Sequence, residues 1–215
     1  MALLRRTMQT RLAATSMGVA AICIASVGVA LAETPVARAD RTLAAELRVL
    51  QGDLARLREN GLPEAHREGL EARVTGSLGL VPWLLIQSGD EAGADRLAAD
   101  RRDDPDDLAG ALDSLIGRHP FDLLEQGTAD VSAKALLDAR AIHETYCAGC
   151  HDDTGEGDPG MKLPIRDLFG MAREEPADIF AARLYVGVKG DATIGFQNPL
   201  TETQFLALWR YYSTD

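Results

Sequence analysis

The sequence contains 215 residues, of which 46% are hydrophobic and 5% aromatic, and its formal net charge is −11. This length fits one full domain or two small ones. The acidic balance excludes proteins that bind nucleic acid or anionic lipid electrostatically, because both kinds of binding need a cationic surface.

The start of the chain predicts a signal peptide that directs export. Residues 1–32 hold three arginines and no acidic residue, and the apolar run at residues 12–31 ends in Ala30-Leu31-Ala32. A basic start, an apolar middle and an A-x-A end are typical of a cleaved export signal. We therefore expect cleavage after Ala32, a periplasmic mature protein and no stable membrane insertion afterwards. The alternative is an uncleaved anchor, since the run is long enough to span a bilayer.

Residues 33–127 predict a small helical N-terminal domain of unknown role. Five leucines from Leu43 to Leu57 recur at intervals of 4, 3, 4 and 3, which is the stripe of an amphipathic helix that Asp40 would cap. No segment alternates in the manner of a strand. The predicted elements are helices at residues 40–60, 64–80 and 106–118, an apolar patch at 81–86, and a solvated helix and linker at 90–107.

The second half of the chain, residues 128–215, follows a predicted joint at residues 127–130. Apolar periodicity predicts helices at residues 132–146 and 176–188, separated by a loop rich in Gly and Asp. A last helix should start at Thr201, which forms a capping-box pair with Gln204. The chain is therefore predicted to be all-α in both halves.

The strongest chemical signal is the run Cys147-Ala148-Gly149-Cys150-His151. C-x-x-C-H is the attachment motif of c-type haem, in which two thiols bond the haem vinyl groups and the adjacent imidazole binds the iron. Without residues 1–32, Cys147 and Cys150 are the only cysteines, and attachment after export agrees with the predicted signal. A thioredoxin-like pair would need a βαβ context, and a zinc site would need a second Cys or His pair. We expect one covalent haem c, with its iron bound by His151.

With this motif, residues 130–215 resemble a class I cytochrome c. The resemblance implies an all-α domain in which the helix before the motif is crossed by the C-terminal helix. In this chain the crossing would place Ala139 and Ile142 against Leu208 and Tyr211. The resemblance therefore implies an all-α fold in which a class I cytochrome c domain is preceded by a small helical domain.

The resemblance also implies partners for the haem. Pro164, in the loop after the motif, matches a family proline whose carbonyl accepts the hydrogen bond of the axial imidazole and makes His151 a stronger iron donor. Cationic side chains usually hold the haem propionates, and no residue is assigned to them from the sequence. The cations available near the site are Arg166, Arg173, Arg183 and Lys189.

The chain departs from the family at the sixth iron ligand. Class I members usually supply a Met just before the last helix, and the aligned position here is Gly195 or, with one gap, Ile194. The open alternatives are an exposed iron or a ligand from elsewhere. The candidate ligands are Met171, Met161, His66, His119, His143 and Lys189, with His143 interpreted as a solvated helix residue. Axial ligand identity sets the potential and decides whether the iron binds small molecules.

These observations predict a monohaem cytochrome that carries single electrons between redox proteins and has no catalytic residues of its own. Residues 33–215 carry 19 basic and 33 acidic side chains, a charge of −14, which favours a partner with a basic docking face. One alternative is a haem protein with an open iron that binds NO or CO or performs peroxide-type chemistry. Another is a haem subunit docked on a larger oxidoreductase through its N-terminal helices.

Overall fold

The computed structural model describes residues 35–100, 105–127, 131–152, 154, 159–160, 162–187 and 200–214. All regular secondary structure in these ranges is helical, as the sequence predicts. No helix in them is long and apolar enough to cross a membrane. The α-helices are α1 Pro35–Leu57, α2 Glu64–Gln87, α3 Glu91–Asp100, α4 Pro105–Arg118, α5 Leu123–Gly127, α6 Ala133–Ile142, α7 Ala148–His151, α8 Leu168–Glu174, α9 Ala177–Val186 and α10 Glu202–Tyr212, and a π-helix, π1, spans His143–Cys147.

Helix α1 is shared by two hydrophobic cores. Its predicted leucine stripe packs into a core formed with α2, α3 and α4, where Leu43, Leu47 and Leu50 are fully buried. A second face of the same helix presents small side chains, such as Ala45, to a core formed with α6, α9 and α10. This second face comes so close to α9 that a Cβ on Gly52 would lie 2.6 Å from Ile179 Cγ2. The helix therefore joins the N-terminal helices to those that follow the C-x-x-C-H motif.

Helix α2 is longer than the sequence predicts. The predicted helix at residues 64–80 and the apolar patch at 81–86 form one helix that continues through Pro82 to Gln87. An interior proline costs a helix about 3 kcal/mol because it removes a hydrogen bond and crowds the preceding turn. Val81, Leu84 and Leu85 are buried around Pro82, and their packing in the core offsets that cost.

The acidic stretch at residues 90–107 contains a helix, as the sequence predicts, but one face of that helix is buried instead of solvated. It contains helix α3, whose Ala94 and Leu97 are buried in the first core. Asp90 caps this helix by accepting a hydrogen bond from the Gly93 N–H at 2.8 Å. The same carboxylate binds Arg118 and His119 at the end of α4, so it ties two helices together.

Two helices on either side of the C-x-x-C-H motif, α6 and α10, pack against each other. Helix α6 lies against α10, and Ala139 and Leu208 are both fully buried in the core that they share. Thr201 and Gln204 form the predicted capping box at the start of α10. Helix α9 ends at Gly187, whose φ of 79° favours glycine, because other residues are strained in that region.

Glu33–Asp215 form one compact unit, in which α1 supplies side chains to both cores. It stays a prediction that residues 33–127 and 128–215 are separate domains that fold independently. The predicted signal at residues 1–32 and the joint residues 128–130 lie outside the described residues.

Candidate haem site

The C-x-x-C-H motif lies at a change of helical geometry. Helix α6 widens into π1 at His143–Cys147, and α7 then holds the rest of the motif in a single turn that ends at His151. Cys147 is half-buried, Cys150 is exposed, and both thiols are free. One turn of chain therefore presents two unpaired thiols and an imidazole, as covalent haem attachment requires.

His151 has its ring orientation fixed by the backbone. Its Nδ1 lies 2.7 Å from the carbonyl oxygen of Arg166. A carbonyl only accepts hydrogen bonds, so Nδ1 carries the proton and Nε2 keeps the lone pair that binds a metal. The prediction that Pro164 supplies this carbonyl is wrong. The acceptor lies two residues further along the same loop, because the path of the loop decides which carbonyl faces the ring.

Arg166 is itself held by a chain of ion pairs that reaches the N-terminal helices. Arg166 Nη1 binds Glu175 at 2.6 Å, and the other oxygen of Glu175 binds Arg183 Nε at 2.7 Å. Arg183 Nη2 then lies 2.9 Å from Asp53 on α1, and Arg73 on α2 pairs with the same carboxylate. His151 is thus connected, through the Arg166 carbonyl and these charged groups, to α1 and α2.

Asp53 is the deepest member of this chain, with a fully buried side chain. Burial alone would raise its pKa, but the charges and hydrogen bonds of Arg183 and Arg73 outweigh burial and hold the pKa below its usual value. The carboxylate is therefore ionised and satisfied by two guanidinium groups. Asp53 was not identified from the sequence. The only signal for it there is that an acidic residue lies within the leucine stripe of α1.

The loop between His151 and Arg166 rests directly on α2. At Gly69 the helix approaches this loop so closely that a Cβ would lie 1.9 Å from the backbone oxygen of Lys162. Only glycine permits that contact. Nearby, Lys162 Nζ pairs with Glu68 at 3.0 Å on the surface. Helix α2 therefore supports the chain segment that carries the hydrogen-bond acceptor of His151.

His143 is buried rather than solvated, which corrects the sequence interpretation. Its Nε2 lies 3.1 Å from the Asp152 carboxylate, and its Nδ1 lies 3.0 Å from the Tyr212 hydroxyl. Carboxylates only accept, so His143 donates to Asp152 through Nε2, while Nδ1 and the Tyr212 hydroxyl form a second hydrogen bond. The Tyr212 hydroxyl is also within hydrogen-bonding range of the Cys147 thiol.

Burial dominates the electrostatics of this group. It raises the pKa of the Cys147 thiol and moves the pKa of the Tyr212 hydroxyl above its usual range. Both groups are therefore protonated at neutral pH. Phe169 and Tyr211 pack edge-on or tilted around the His143 ring, with centroid distances of 5.4 and 5.7 Å. Cys147 thus lies at the edge of an aromatic cluster that joins α10 to the motif.

Most of the candidate sixth ligands that the structure describes already contact other side chains. His119 Nε2 binds Asp90 at 2.9 Å, both ring nitrogens of His143 have partners, and His66 is buried. Met171 on α8 is partly buried against the second core. The remaining candidates, Met161 and Lys189, lie outside the described residues, as do Gly195 and Ile194, the positions aligned to the family's methionine.

The described residues fit a covalently attached haem. The proton on His151 Nδ1 leaves Nε2 as the one ring nitrogen able to bind iron, and two free thiols precede it at the required spacing. Cys147, Cys150 and His151 would hold the group, and Arg166 would orient the ligand. Pro164 is half-buried on the same loop and stays a predicted haem contact.

Comparisons of this chain with known protein families, with curated proteins and with solved structures found no match.

Proposed function

We propose that this protein is a monohaem c-type cytochrome that transfers single electrons between redox proteins in the periplasm. The observation that carries the proposal is the His151–Arg166 hydrogen bond, beside two free thiols on the preceding turn. A bond from Nδ1 to a backbone carbonyl is the arrangement that fixes a metal-binding imidazole and increases its basicity. Haem supplies a one-electron couple when it is bound, and the chain supplies its attachment and its axial ligand.

The hydrogen bond of His151 and the charge of the chain are the two features that bear on electron transfer. A hydrogen bond that increases the basicity of His151 stabilises ferric iron and so lowers the potential. The charge of −14 on residues 33–215 would steer a partner that has a basic docking face, and this attraction weakens as salt is added.

Covalent attachment is the first test. The full chain should be expressed in a host that matures c-type cytochromes, and acid–acetone extraction should leave haem on the polypeptide. Cys147→Ala and Cys150→Ala variants should each lose one thioether, which moves the reduced absorption maximum to longer wavelength. Asp138→Ala, an exposed substitution on α6, serves as the control. Release of all haem from the wild-type protein, or recovery of two titratable thiols from the mature chain, would reject the proposal.

A second candidate function is a haem protein that binds a small ligand at an open iron. It is favoured by the engagement of His119 with Asp90 and of His143 with Asp152 and Tyr212. It is also favoured by Gly195 or Ile194 at the position where the family supplies methionine. Stopped-flow exchange of electrons with a small redox dye, compared with the rate of CO binding, separates the two functions.

A further inference from the structure

His143 lies one helical turn before Cys147, yet its ring binds the residue that follows the motif. Its Nε2 lies 3.1 Å from the carboxylate of Asp152, which directly follows His151. The ring is buried, whereas the Asp152 side chain is about half exposed. One side chain therefore holds together the start and the end of the segment that carries both thiols and the imidazole.

The backbone of this segment departs from regular α-helical geometry. The Ala148 N–H donates to the carbonyl of His143, five residues earlier, where an α-helix would use a carbonyl four residues earlier. A π-turn of this kind frequently marks a functional site. Helix α7, which follows it, is a single turn of four residues. The motif is therefore not a straight extension of α6, and its orientation depends on additional contacts.

Tyr212 holds the other side of the His143 ring. Its hydroxyl lies 3.0 Å from His143 Nδ1, and the tyrosine itself is fully buried on α10. Phe169 and Phe180 pack edge-on against the tyrosine ring, with centroid distances of 5.1 and 5.9 Å. Both nitrogens of His143 are thus engaged, as buried polar groups require. One of them contacts the end of the motif and the other contacts α10.

We propose that His143 is a positioning residue for the haem ligand, because its bond to Asp152 fixes the backbone of His151. The proposal rests on the function proposed above, in which His151 binds the iron. The Arg166 carbonyl fixes the ring of His151, and the His143–Asp152 bond fixes the segment from which this ring extends. A ligand that is held at both points needs little rearrangement when the iron changes its charge, and this favours rapid electron transfer.

Amide side chains test the two nitrogens of the ring separately. The amide of glutamine lies about where Nε2 of histidine lies, and the amide of asparagine lies about where Nδ1 lies. His143→Gln should therefore keep the bond to Asp152 and lose that to Tyr212, whereas His143→Asn should do the reverse. Each variant loses one buried hydrogen bond, so a role in folding alone predicts similar effects for both.

Two measurements on the ferric holoprotein report the position of His151. The NMR shifts of the haem methyl groups depend on the orientation of the axial imidazole. Hydrogen exchange of the Asp152 N–H, which donates to the Ala148 carbonyl at 3.0 Å, reports the end of α7. We expect His143→Gln to match the wild type in both measurements. His143→Asn should change the methyl shifts and make the Asp152 amide exchange about threefold faster or more.

Asp152→Ala removes the same bond from its other partner. The Asp152 side chain is about half exposed, so this substitution leaves the core intact, and it should reproduce the effects of His143→Asn. The matched control is Glu144→Gln, which removes an exposed carboxylate from the next residue of π1 and should alter neither measurement. If neither His143 variant folds, Asp152→Ala and this control decide the question alone.

Other results would overturn the assignment. Equal changes in His143→Gln and His143→Asn would show that the ring only stabilises the fold, and no change in either would show that it does not hold the motif. A larger change in His143→Gln would assign the effect to Tyr212 instead of Asp152. A wild-type chain without covalent haem removes the proposed function together with this assignment, whereas haem-loaded protein in which Asp152→Ala matches Glu144→Gln removes this assignment alone.

Discussion

The carbonyl oxygen of Arg166 accepts a hydrogen bond from His151 Nδ1 at 2.7 Å, while the guanidinium of the same residue is fixed by Glu175 at 2.6 Å. One residue thus connects the His151 imidazole to a buried network of charges. Since Glu175 binds Arg183 and Arg183 binds Asp53, this network extends to α1.

Asp53→Asn should destabilise the holoprotein strongly. The substitution leaves Arg73 and Arg183 without their shared carboxylate, and breaking a buried ion pair costs about 3 kcal/mol. The free energy of unfolding in urea measures this loss. Asp113→Asn is the matched control, because Asp113 is exposed on α4 and only accepts a hydrogen bond from Gln51. Losses of equal size in the two variants would show that the buried network contributes nothing.

Gly69→Ala should disturb the loop that holds His151. A Cβ at this position would lie 1.9 Å from the Lys162 backbone oxygen, so helix α2 or the loop must move. We expect a loss of at least about 2 kcal/mol in urea and a changed midpoint potential, because the Arg166 carbonyl follows the loop. Gly76→Ala on the same helix meets nothing within 4 Å and should stabilise the protein by about 0.5 kcal/mol. The same effect from both substitutions would contradict the close contact.

Asp90 should make stability depend on pH in the acid range. Its hydrogen bond with His119 is the largest cause that lowers its pKa to about 2, with smaller contributions from Gly93 and Arg118. A carboxyl with a lowered pKa in the folded state stabilises that state above its unfolded pKa of about 4, and the stabilisation is lost as pH falls towards 2. Asp90→Asn keeps a side chain that can cap α3 but loses the charge paired with Arg118 and His119. It should therefore cost about 0.5 kcal/mol at neutral pH and flatten the profile below pH 4. Urea titrations at several pH values measure this change.

Asp107→Asn is the control for Asp90, because it removes an exposed carboxylate from α4 and should leave the acid profile as in the wild type. A profile that does not change in Asp90→Asn would show that its pairs with Arg118 and His119 contribute nothing to folding.

The iron should lack a methionine ligand. With Gly195 or Ile194 aligned to the family's methionine, we expect no weak red charge-transfer band in the ferric protein and CO binding by the folded ferrous protein. Gly195→Met should suppress CO binding and raise the potential, because thioether sulfur favours ferrous iron. A red band with no CO binding would identify methionine ligation, and Met171→Ala and Met161→Ala would show which residue supplies it. Exclusion of CO without the band would indicate a nitrogen ligand.

The separability of the two halves gives a further prediction. A fragment of residues 128–215, exported with a signal, should mature to a holoprotein, because it keeps the motif and the α6–α10 pair. It loses Ala45 and Asp53 of α1 from the surface of α9, so it should unfold at lower urea than the full chain. Failure to accumulate holoprotein would mean that one continuous fold requires both halves, and equal stability would mean that α1 contributes nothing to α9.

Local patterns were the part of the fold that sequence reasoning predicted best. One of them failed, because α1 begins at Pro35 and Asp40, the predicted cap, lies inside the helix. The leucine stripe of α1, the Thr201–Gln204 capping box and the absence of strands among the described residues follow from spacing within a few residues. The extent of α2 was not predictable in this way, because Pro82 is tolerated only through the burial of its neighbours in a core formed by four helices.

The residues of the candidate site were likewise predictable where they depend on local sequence and unpredictable where they depend on distant segments. The three residues of the motif are adjacent in sequence, so their chemistry was readable from the sequence. The partners of Asp53 and His143 come from distant segments, since Arg183 and Tyr212 reach them only after the chain folds. The acceptor for His151 was assigned to the correct loop but to Pro164 instead of Arg166, because sequence alone does not fix which carbonyl of a loop turns inward.

The position of α1 between two cores has a consequence for the order in which the protein folds. Helix α1 is synthesised early, but its partner α9 follows the C-x-x-C-H motif in the chain, so their contact closes a long loop. Contacts between distant segments form late, because the entropy of loop closure must be lost before the contact stabilises the chain. We therefore expect the pairing of α1 with α9 to be the slow step of refolding.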